Sequence, residues 1–310
     1  MRRRYESTMK NLLSVSDLPD SDLPGVVARA LEFATGKREP SLDGRIVGTY
    51  FRKTSTRTRT AFTAGALRLS AQVIAYGPED LQLATGETAE DTALVLSGMV
   101  DVLVARTAGS TEELHAFAAQ GRMPVINAMS AAEHPTQALT DLSTMHEHFG
   151  RIEDLRVLYV GEGNNTATAL ALALSRYPGV RLELRTPPGY GLPADYLARA
   201  SANARRSGAE VSERHDMDDL PPGFDVVYTT RWQTTGTSKP DPDWRTVFAP
   251  FQVSAKLWET SPAATFMHDL PAHRGEEVTA DVLDGPVSIA FRQAEHKMFS
   301  AMAALEWCLA

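Results

Sequence analysis

Cysteine is nearly missing from this sequence of 310 residues, in which Cys308 is the only one. A single cysteine excludes an internal disulfide framework and a cysteine-rich zinc module. Long apolar runs are missing as well, because no segment approaches the roughly 20 apolar residues of a membrane-spanning helix. The basic start, M-R-R-R-Y-E-S-T-M-K, is not followed by the apolar run of a signal peptide. We therefore expect a soluble, cytoplasmic protein.

Positive charge is in short supply. Lys and Arg number 31 against 39 Asp and Glu, which gives a net charge of −8. A chain this acidic is a poor general binder of nucleic acid or of an anionic membrane, and we expect neither as a partner. It binds an anion only where its arginines converge. No H-E-x-x-H or paired-cysteine spacing occurs, so we expect no metal site.

The length predicts about two domains of roughly 150 residues, and apolar runs alternate with amphipathic stretches, as in α/β folds. The pattern first predicts a helix over 21–35, strands over 45–51, 72–76, 100–106 and 124–127, and helices over 58–69, 88–99, 110–120 and 136–149. It then predicts strands over 155–160, 180–184, 225–229 and 264–268, helices over 166–176 and 196–207, a long surface loop over 233–243 and a final helix within 288–310. We predict two domains, 1–150 and 151–287, each a mainly parallel sheet flanked by helices, with about 288–310 completing the first.

The stretch F-R-K-T-S-T-R-T-R, residues 51–59, follows a predicted strand and opens a predicted helix. Backbone N–H groups at a helix N-terminus are unsatisfied and carry partial positive charge, so hydroxyls and a guanidinium there complete a phosphate cradle. The alternative is a capped helix with a solvated basic turn, but positive charge at a helix start opposes the helix dipole unless an anion binds. It is not a P-loop, because the G-x-x-x-x-G-K frame is absent. The predicted cradle consists of Ser55, Thr56, Arg57 and Thr58.

Three further motifs lie between strands and helices. E-H-P-T-Q, residues 133–137, places a His and a Gln where they can hydrogen-bond a carbonyl oxygen and an amide, or is a helix cap with an incidental histidine. H-D-L-P-A-H-R-G-E-E, residues 268–277, follows a strand, where ligands of open α/β sheets bind, or is a polar loop. G-E-G-N-N-T, residues 161–166, lacks the third glycine of a dinucleotide fingerprint. An NADP-type reductase with Arg185 at a 2′-phosphate is retained only as an alternative.

Together these motifs resemble the aspartate/ornithine carbamoyltransferase family over nearly the whole chain. F-x-K-x-S-T-R-T-R is similar to the family's carbamoyl phosphate loop, and H-P-T-Q-A-L-T-D, residues 134–141, to its second signature. The stretch at 80–93, D-L-Q-L-A-T-G-E-T-A-E-D-T-A, the G-x-G-N-N and T-P-P-G-Y turns and L-P-A-H-R-G-E-E-V resemble the ornithine branch. The resemblance implies an enzyme that transfers the carbamoyl group of carbamoyl phosphate to the primary amine of an amino acid, as in arginine biosynthesis.

The resemblance also implies how carbamoyl phosphate is held. Residues 55–58 hold the phosphate, Arg106 reaches both phosphate and carbonyl oxygen, and His134 and Gln137 contact the carbamoyl group. Leu270 offers a backbone carbonyl to the carbamoyl NH₂. The catalytic groups implied are Arg57, Arg106 and His134, and the other residues predicted around carbamoyl phosphate are Gln82, Asp269 and Lys297.

The family lends the residue at the position of Gln82 to a neighbouring subunit's site, which implies a homotrimer, or a multiple of trimers, with shared sites. The implied mechanism is direct attack by a neutral amine on the carbonyl carbon. Hydrogen bonds to the developing oxyanion come from Thr56, Arg106 and His134, while Arg57 and the helix N-terminus stabilise the departing phosphate. Such a mechanism needs no metal, no cofactor and no covalent intermediate.

The acceptor site departs from the ornithine pattern. That branch usually carries T-D-x-W-x-S-M-G after its strand, and here T-T-R-W-Q-T-T-G places Thr230 at the Asp and Thr234 with Thr235 at the Ser-Met pair. The usual H-C-L-P is H-D-L-P, so Asp269 replaces the cysteine. The usual arginine of A-E-N-R is Lys297.

Arg231 and Gln233 instead match the R-x-Q that holds acceptor carboxylates in the aspartate branch, although that branch's H-P-L-P and its lysine near Gln82 are absent. Asn165 matches the ornithine branch's contact to the α-carboxylate. Asp269 can accept a hydrogen bond from a protonated amine or act as its base. We expect as acceptor either ornithine, held through altered contacts, or an acidic or shorter diamino acid paired with Arg231. A non-catalytic ligand-binding relative is the other alternative.

Overall fold

The first half of the chain builds a parallel sheet. The computed structural model describes residues 9–37, 39–234 and 238–310. The first sheet contains β1 (Ile46–Phe51), β2 (Gln72–Tyr76), β3 (Val102–Arg106) and β4 (Val125–Asn127). Its order is β2-β1-β3-β4, with every pair parallel. The inner strands are buried on both faces, as expected of parallel strands covered by helices, whereas the edge strand β2 is partly exposed.

Helices cover this sheet, and the last helix of the chain returns to it. They are α1 (Leu23–Ala34), α2 (Arg57–Arg68), α3 (Ala89–Leu96), α4 (Thr111–Ala118) and α5 (Pro135–Phe149). The final helix, α10 (Ala290–Leu309), packs against α1, α2 and α5. The approach of α2 to α10 requires a glycine at position 65, because a Cβ there would lie 2.9 Å from Cγ of Met302.

The second sheet is also parallel. It contains β5 (Arg156–Val160), β6 (Arg181–Arg185), β7 (Glu210–Arg214), β8 (Val226–Thr229) and β9 (Thr265–His268). Its order is β7-β6-β5-β8-β9. The helices beside it are α6 (Asn165–Leu174), α7 (Ala194–Ser207), α8 (Trp244–Phe248) and α9 (Ala280–Leu283). Two helix-flanked parallel sheets confirm the predicted fold class, while the boundary near Gly150 stays a prediction.

The sequence patterns miss three of these elements, the edge strand β7 and the short helices α8 and α9. β7 is an edge strand with the sequence E-V-S-E-R and alternating exposure, so it lacks the apolar run that marks the buried strands. α8 has five residues, too few to show a helical period, and follows directly on the predicted surface loop. Its aromatic residues pack together with Trp232 in a small core of their own.

One alternative from the sequence, the NADP-type reductase, loses support. Arg185 is 1% exposed, and its guanidinium pairs with Glu183 and with Asp216, 2.9 Å away, so it is not available for a 2′-phosphate.

Within residues 9–37, 39–234 and 238–310, no helix is both long and apolar enough to cross a membrane. The same residues hold no group of three or more His, Cys, Asp or Glu side chains arranged for a metal ion.

Candidate active site

A cavity of about 350 Å³ lies where the carboxyl ends of strands from both sheets meet, the usual ligand position in open α/β sheets. Its wall combines strand ends, helix N-termini and the loop after β9. The residues that line it are Thr54, Ser55, Thr56, Arg57, Thr58, Arg106, Met129, His134, Asn164, Asn165, Thr166, Thr230, Arg231, Thr234, Asp269, Leu270, Pro271 and Lys297.

The predicted cradle forms one wall of the cavity. Thr56 is the N-cap residue of α2, and its side chain makes no capping hydrogen bond to the first turn. The N–H groups of that turn therefore remain available to a ligand, beside the hydroxyls of Ser55 and Thr58. Partial burial lowers the pKa of the Arg57 guanidinium, and the Asp269 carboxylate opposes that shift. A dianion at this helix start would compensate both the dipole and the arginine charge.

Arg106, the last residue of β3, is 8% exposed and contributes a second guanidinium to the cavity. Its Nη1 donates to Oγ1 of Thr58 at 3.1 Å. Its Nε is buried and has no hydrogen-bond partner among the described residues. Burial lowers its pKa to about 10, with Asp269 opposing the shift and Arg57 adding to it. An unsatisfied buried donor beside a cavity points to an acceptor atom supplied by a ligand.

His134 occupies the N-cap position of α5 without making a side-chain capping hydrogen bond, and it is 5% exposed. Its Nδ1 lies 3.3 Å from Oγ1 of Thr136, and its backbone N–H donates to the carbonyl of Asn165 at 3.1 Å. Burial, followed by the charges of Lys297 and Arg106, lowers the pKa of the imidazole well below its usual range. The ring is therefore neutral at pH 7 and has one donor nitrogen.

Lys297 reaches the cavity from α10 and is 8% exposed. Its Nζ donates to Oε1 of Gln137, whose Nε2 in turn donates to Oδ1 of Asp141 at 2.7 Å. Burial lowers the pKa of Lys297 to about 8, although Asp269 and Asp141 favour its charged form. Burial also raises the pKa of Asp141. The structure thus places Gln137 behind the cavity wall, as the link between Lys297 and Asp141.

The opposite wall begins at the N-terminus of α6. Asn164 caps this helix, with Oδ1 accepting from the N–H groups of Thr166 and Ala167 at 3.0 and 3.2 Å. Asn165 is 3% exposed and donates through Nδ2 to the carbonyl of Ser130 at 2.6 Å, which ties this wall to the first sheet. Both asparagines line the cavity.

Asp269 faces the cavity with its carboxylate held by two threonines. Thr166 donates to Oδ2 at 2.9 Å, and Thr230 donates to Oδ1 at 2.8 Å. Each carboxylate oxygen keeps a further lone pair for a ligand. Leu270 follows with a φ of 52° and a cis peptide bond to Pro271, and both residues line the cavity. The acidic group of this wall is therefore at 269, while position 230 contributes a hydroxyl.

Arg231 also lines the cavity, and its guanidinium forms no ion pair with another of the described residues. Thr234 lies on the same wall, where its Oγ1 accepts from Nδ2 of Asn164 at 3.2 Å. Gln233 is not among the cavity-lining residues, and Thr235 lies outside the described residues. An internal ion pair for Arg231, the alternative to a carboxylate ligand, is thus absent from the described residues.

Gln82 lies away from this chain's own cavity. It begins an exposed 3-10 helix, Gln82–Thr85, and its Oε1 accepts from Oγ1 of Thr85 at 2.8 Å. Sequence reasoning missed Met129, whose φ of 141° has no signal in the sequence. It also missed the cavity-lining roles of Asn164 and Thr166, which the G-E-G-N-N-T motif contains, and of Thr54 and Pro271, each beside a predicted residue.

Comparison with known families defines the class of protein. The first part of the chain, residues 10–147, matches "Aspartate/ornithine carbamoyltransferase, carbamoyl-P binding domain". Residues 153–308 match "Aspartate/ornithine carbamoyltransferase, Asp/Orn binding domain". The cavity lies between these two matched regions and takes residues from both. The protein is a carbamoyltransferase.

Individual ornithine carbamoyltransferases are similar to this chain over nearly its whole length. Ornithine carbamoyltransferase of Bacillus subtilis is 37% identical over 96% of this chain and 93% of its own length. The ornithine carbamoyltransferase of Methanothermobacter thermautotrophicus is 38% identical over 97% of this chain and 99% of its own length. The solved structure of ornithine carbamoyltransferase from Pyrococcus furiosus superposes with a TM-score of 0.90 at 36% identity, covering 96% of each chain. The chain belongs to the aspartate/ornithine carbamoyltransferase family.

Proposed function

We propose that this enzyme transfers the carbamoyl group of carbamoyl phosphate to the side-chain amine of ornithine, forming citrulline and phosphate. One observation carries the proposal: the cavity wall has four cationic side chains, Arg57, Arg106, Arg231 and Lys297, against the single carboxylate of Asp269 among the described lining residues. Such a wall suits a dianionic donor together with an acceptor that carries a carboxylate and an amine. The names of the similar proteins support ornithine as the acceptor.

The donor is assigned to the first wall. The phosphate of carbamoyl phosphate lies at the N-terminus of α2, with Arg57 and the hydroxyls of Ser55 and Thr58 around it. Its carbonyl oxygen points to Arg106 and to the neutral His134. The carbamoyl NH₂ donates to the backbone carbonyl of Leu270.

The chemistry is one displacement. The lone pair of the neutral amine attacks the carbonyl carbon, and a negative charge develops on the carbonyl oxygen, where Thr56, Arg106 and His134 donate. One such donor is worth roughly 3–4 kcal/mol of barrier. The C–O bond to phosphate then breaks, and phosphate leaves with the bonding electrons towards Arg57. The amine loses one proton, which ends on phosphate. Holding both substrates in one cavity supplies much of the remaining acceleration.

The acceptor is assigned to the second wall. Asn165 donates to the α-carboxylate, and Asp269, held by two threonines, accepts a hydrogen bond from the attacking amine. An amine that arrives protonated transfers its proton to that carboxylate before it attacks.

A second acceptor class is favoured by a specific observation. Arg231 has no ion pair within the described residues, and the acid expected for the α-amine of ornithine is Thr230. An acidic amino acid, or a shorter diamino acid, would place a carboxylate at Arg231 and its amine at Asp269. A non-catalytic relative is disfavoured, because residues 55–58, Arg106 and His134 all reach one cavity.

We propose that the enzyme is a homotrimer, or a multiple of trimers, with shared sites. Gln82 is exposed and lies off its own chain's cavity, as expected of a residue that serves a neighbour. Nearby, Leu94, Val95 and Met99 are large apolar side chains that are 52, 54 and 65% exposed. Apolar surface grouped in this way is typical of an interface between subunits. A role in arginine biosynthesis and a cytoplasmic location stay predictions.

The test is phosphate release from carbamoyl phosphate with a panel of amines: ornithine, lysine, putrescine, aspartate, diaminobutyrate and diaminopropionate. We expect turnover with ornithine, and preference for a shorter or acidic amine would select the second acceptor class. Absence of turnover with every amine would favour a ligand-binding relative. Arg57→Ala should abolish turnover, while Arg59→Ala should not, because Arg59 stacks on Phe51 at 5.2 Å and lies off the cavity wall.

A further inference from the structure

A second cavity of about 320 Å³ adjoins the first on the acceptor side. The two share Met129, Asn164, Asn165 and Thr234 as lining residues. The asparagine turn, residues 163–165 at the start of α6, thus separates the two cavities. Contacts that hold this turn in place also hold the acceptor wall in place.

Lys239 is the cationic side chain on the far side of this turn. Its Nζ lies 2.6 Å from Oε1 of Glu162, and the lysine side chain is 4% exposed. Three aromatic rings surround the ammonium, those of Tyr190, Phe248 and Trp244, with centroids at 4.5, 4.6 and 5.3 Å. A desolvated ammonium among aromatic rings adds attraction to the ion pair. Removing one member of such a buried pair leaves the other charge uncompensated.

The same groups hold the turn. Glu162 immediately precedes it, and its backbone carbonyl accepts from the N–H of Asn164 at 2.8 Å. Gly163 donates its N–H to the carbonyl of Tyr190 at 2.7 Å, so the residue whose ring contacts Lys239 also anchors the turn through its backbone. The contact is close, because a Cβ on Gly163 would lie 2.3 Å from the backbone nitrogen of Leu192.

We infer that Lys239, through its buried ion pair with Glu162 and its aromatic box, is a positioning residue that holds Asn164 and Asn165 in place for the acceptor. This inference rests on the proposed function, since it names the residue that orients the acceptor wall of that site. Lys239 is not among the residues that line the main cavity, so its loss changes acceptor binding and leaves donor binding intact.

The test is Lys239→Met, with Lys256→Met as the control on an exposed lysine of the 3-10 helix Ala255–Glu259. We expect the KM for the acceptor to rise about tenfold, as for a lost buried ion pair of modest worth, while the Kd of carbamoyl phosphate stays within about twofold. Lys239→Arg should restore much of the acceptor affinity, because the charge and its stacking on aromatic rings persist. The double variant Lys239→Met with Glu162→Gln should be less impaired than Lys239→Met alone, because no charge is left unpaired.

An acceptor KM within twofold of the wild type in Lys239→Met would overturn the inference. So would equal losses for donor and acceptor, which would indicate general damage to the fold. Calorimetry with ornithine separates this inference from the proposed function. Wild-type protein that binds ornithine but releases no phosphate contradicts the proposed function alone, and weaker binding by Lys239→Met would still support the positioning role.

Discussion

Raising the pH should discharge Lys297 and weaken the binding of carbamoyl phosphate. The lysine is buried in α10 with its side chain on the cavity wall, and burial lowers its pKa from 10.5 to about 8. A dianion bound beside it favours the protonated form. The sign follows by linkage: the attraction is fully present below pH 8 and is lost as the pH rises above that value.

The size of the effect follows from the titration. At about one pH unit above the pKa, roughly nine-tenths of the lysine is neutral, so the affinity that depends on its charge falls about tenfold. Above that pH the loss continues at no more than about tenfold per unit, because a single proton is involved.

The assay is isothermal titration calorimetry with carbamoyl phosphate alone, from about pH 6.5 to 9.5 at constant ionic strength, with circular dichroism at each pH to verify folding. Lys297→Arg is the matched variant, because a guanidinium stays protonated throughout this range. We expect the wild-type Kd to rise above pH 8 and the Kd of the arginine variant to stay level. A level wild-type profile, or a parallel loss in Lys297→Arg, would show that the charge of Lys297 does not hold carbamoyl phosphate.

Three further predictions concern the acceptor wall. Gly163→Ala should lower the free energy of unfolding by about 3 kcal/mol in a denaturant titration, because the added Cβ would lie 2.3 Å from backbone atoms. The control, Gly25→Ala in helix α1, should raise the free energy of unfolding by about 1 kcal/mol, because no atom lies within 4 Å of the added Cβ. Equal effects of the two substitutions would contradict the close packing at Gly163. Asp269→Asn should lower kcat about 100-fold and leave the Kd of carbamoyl phosphate unchanged. Asp269→Cys should change which amine the enzyme prefers as acceptor. An unaltered kcat and an unaltered preference would show that this carboxylate does not contact the amine. Arg231→Gln should raise the acceptor KM about tenfold if it pairs with a carboxylate, and kinetics identical to the wild type would remove Arg231 from the site.

The sequence predicts the fold well where its signals are local. Buried strands such as β3 are continuous apolar runs, and helices such as α5 begin at a proline that suits the first turn, so both appear in the pattern. The edge strand β7 and the short α8 do not, because exposure or brevity removes the periodic signal.

The site residues likewise fall into those that local sequence signals predict and those that only the folded structure brings together. Arg57 and the hydroxyls beside it are recognisable because one strand end and one helix start hold them together. The link from Lys297 through Gln137 to Asp141 joins residues 160 positions apart, and no spacing in the sequence records it. The role of Lys239 likewise depends on an ion pair 77 positions away, inside a stretch that composition assigns to a surface loop.

We propose that the phosphate of carbamoyl phosphate binds at the start of α2. Calorimetry of carbamoyl phosphate against wild-type protein, Arg57→Ala and Arg59→Ala tests this placement. We expect saturable heat with the wild type and with Arg59→Ala, and none at the same concentrations with Arg57→Ala. Folded wild-type protein that gives no heat, or an Arg57→Ala variant that binds as tightly as the wild type, would contradict this placement of the phosphate.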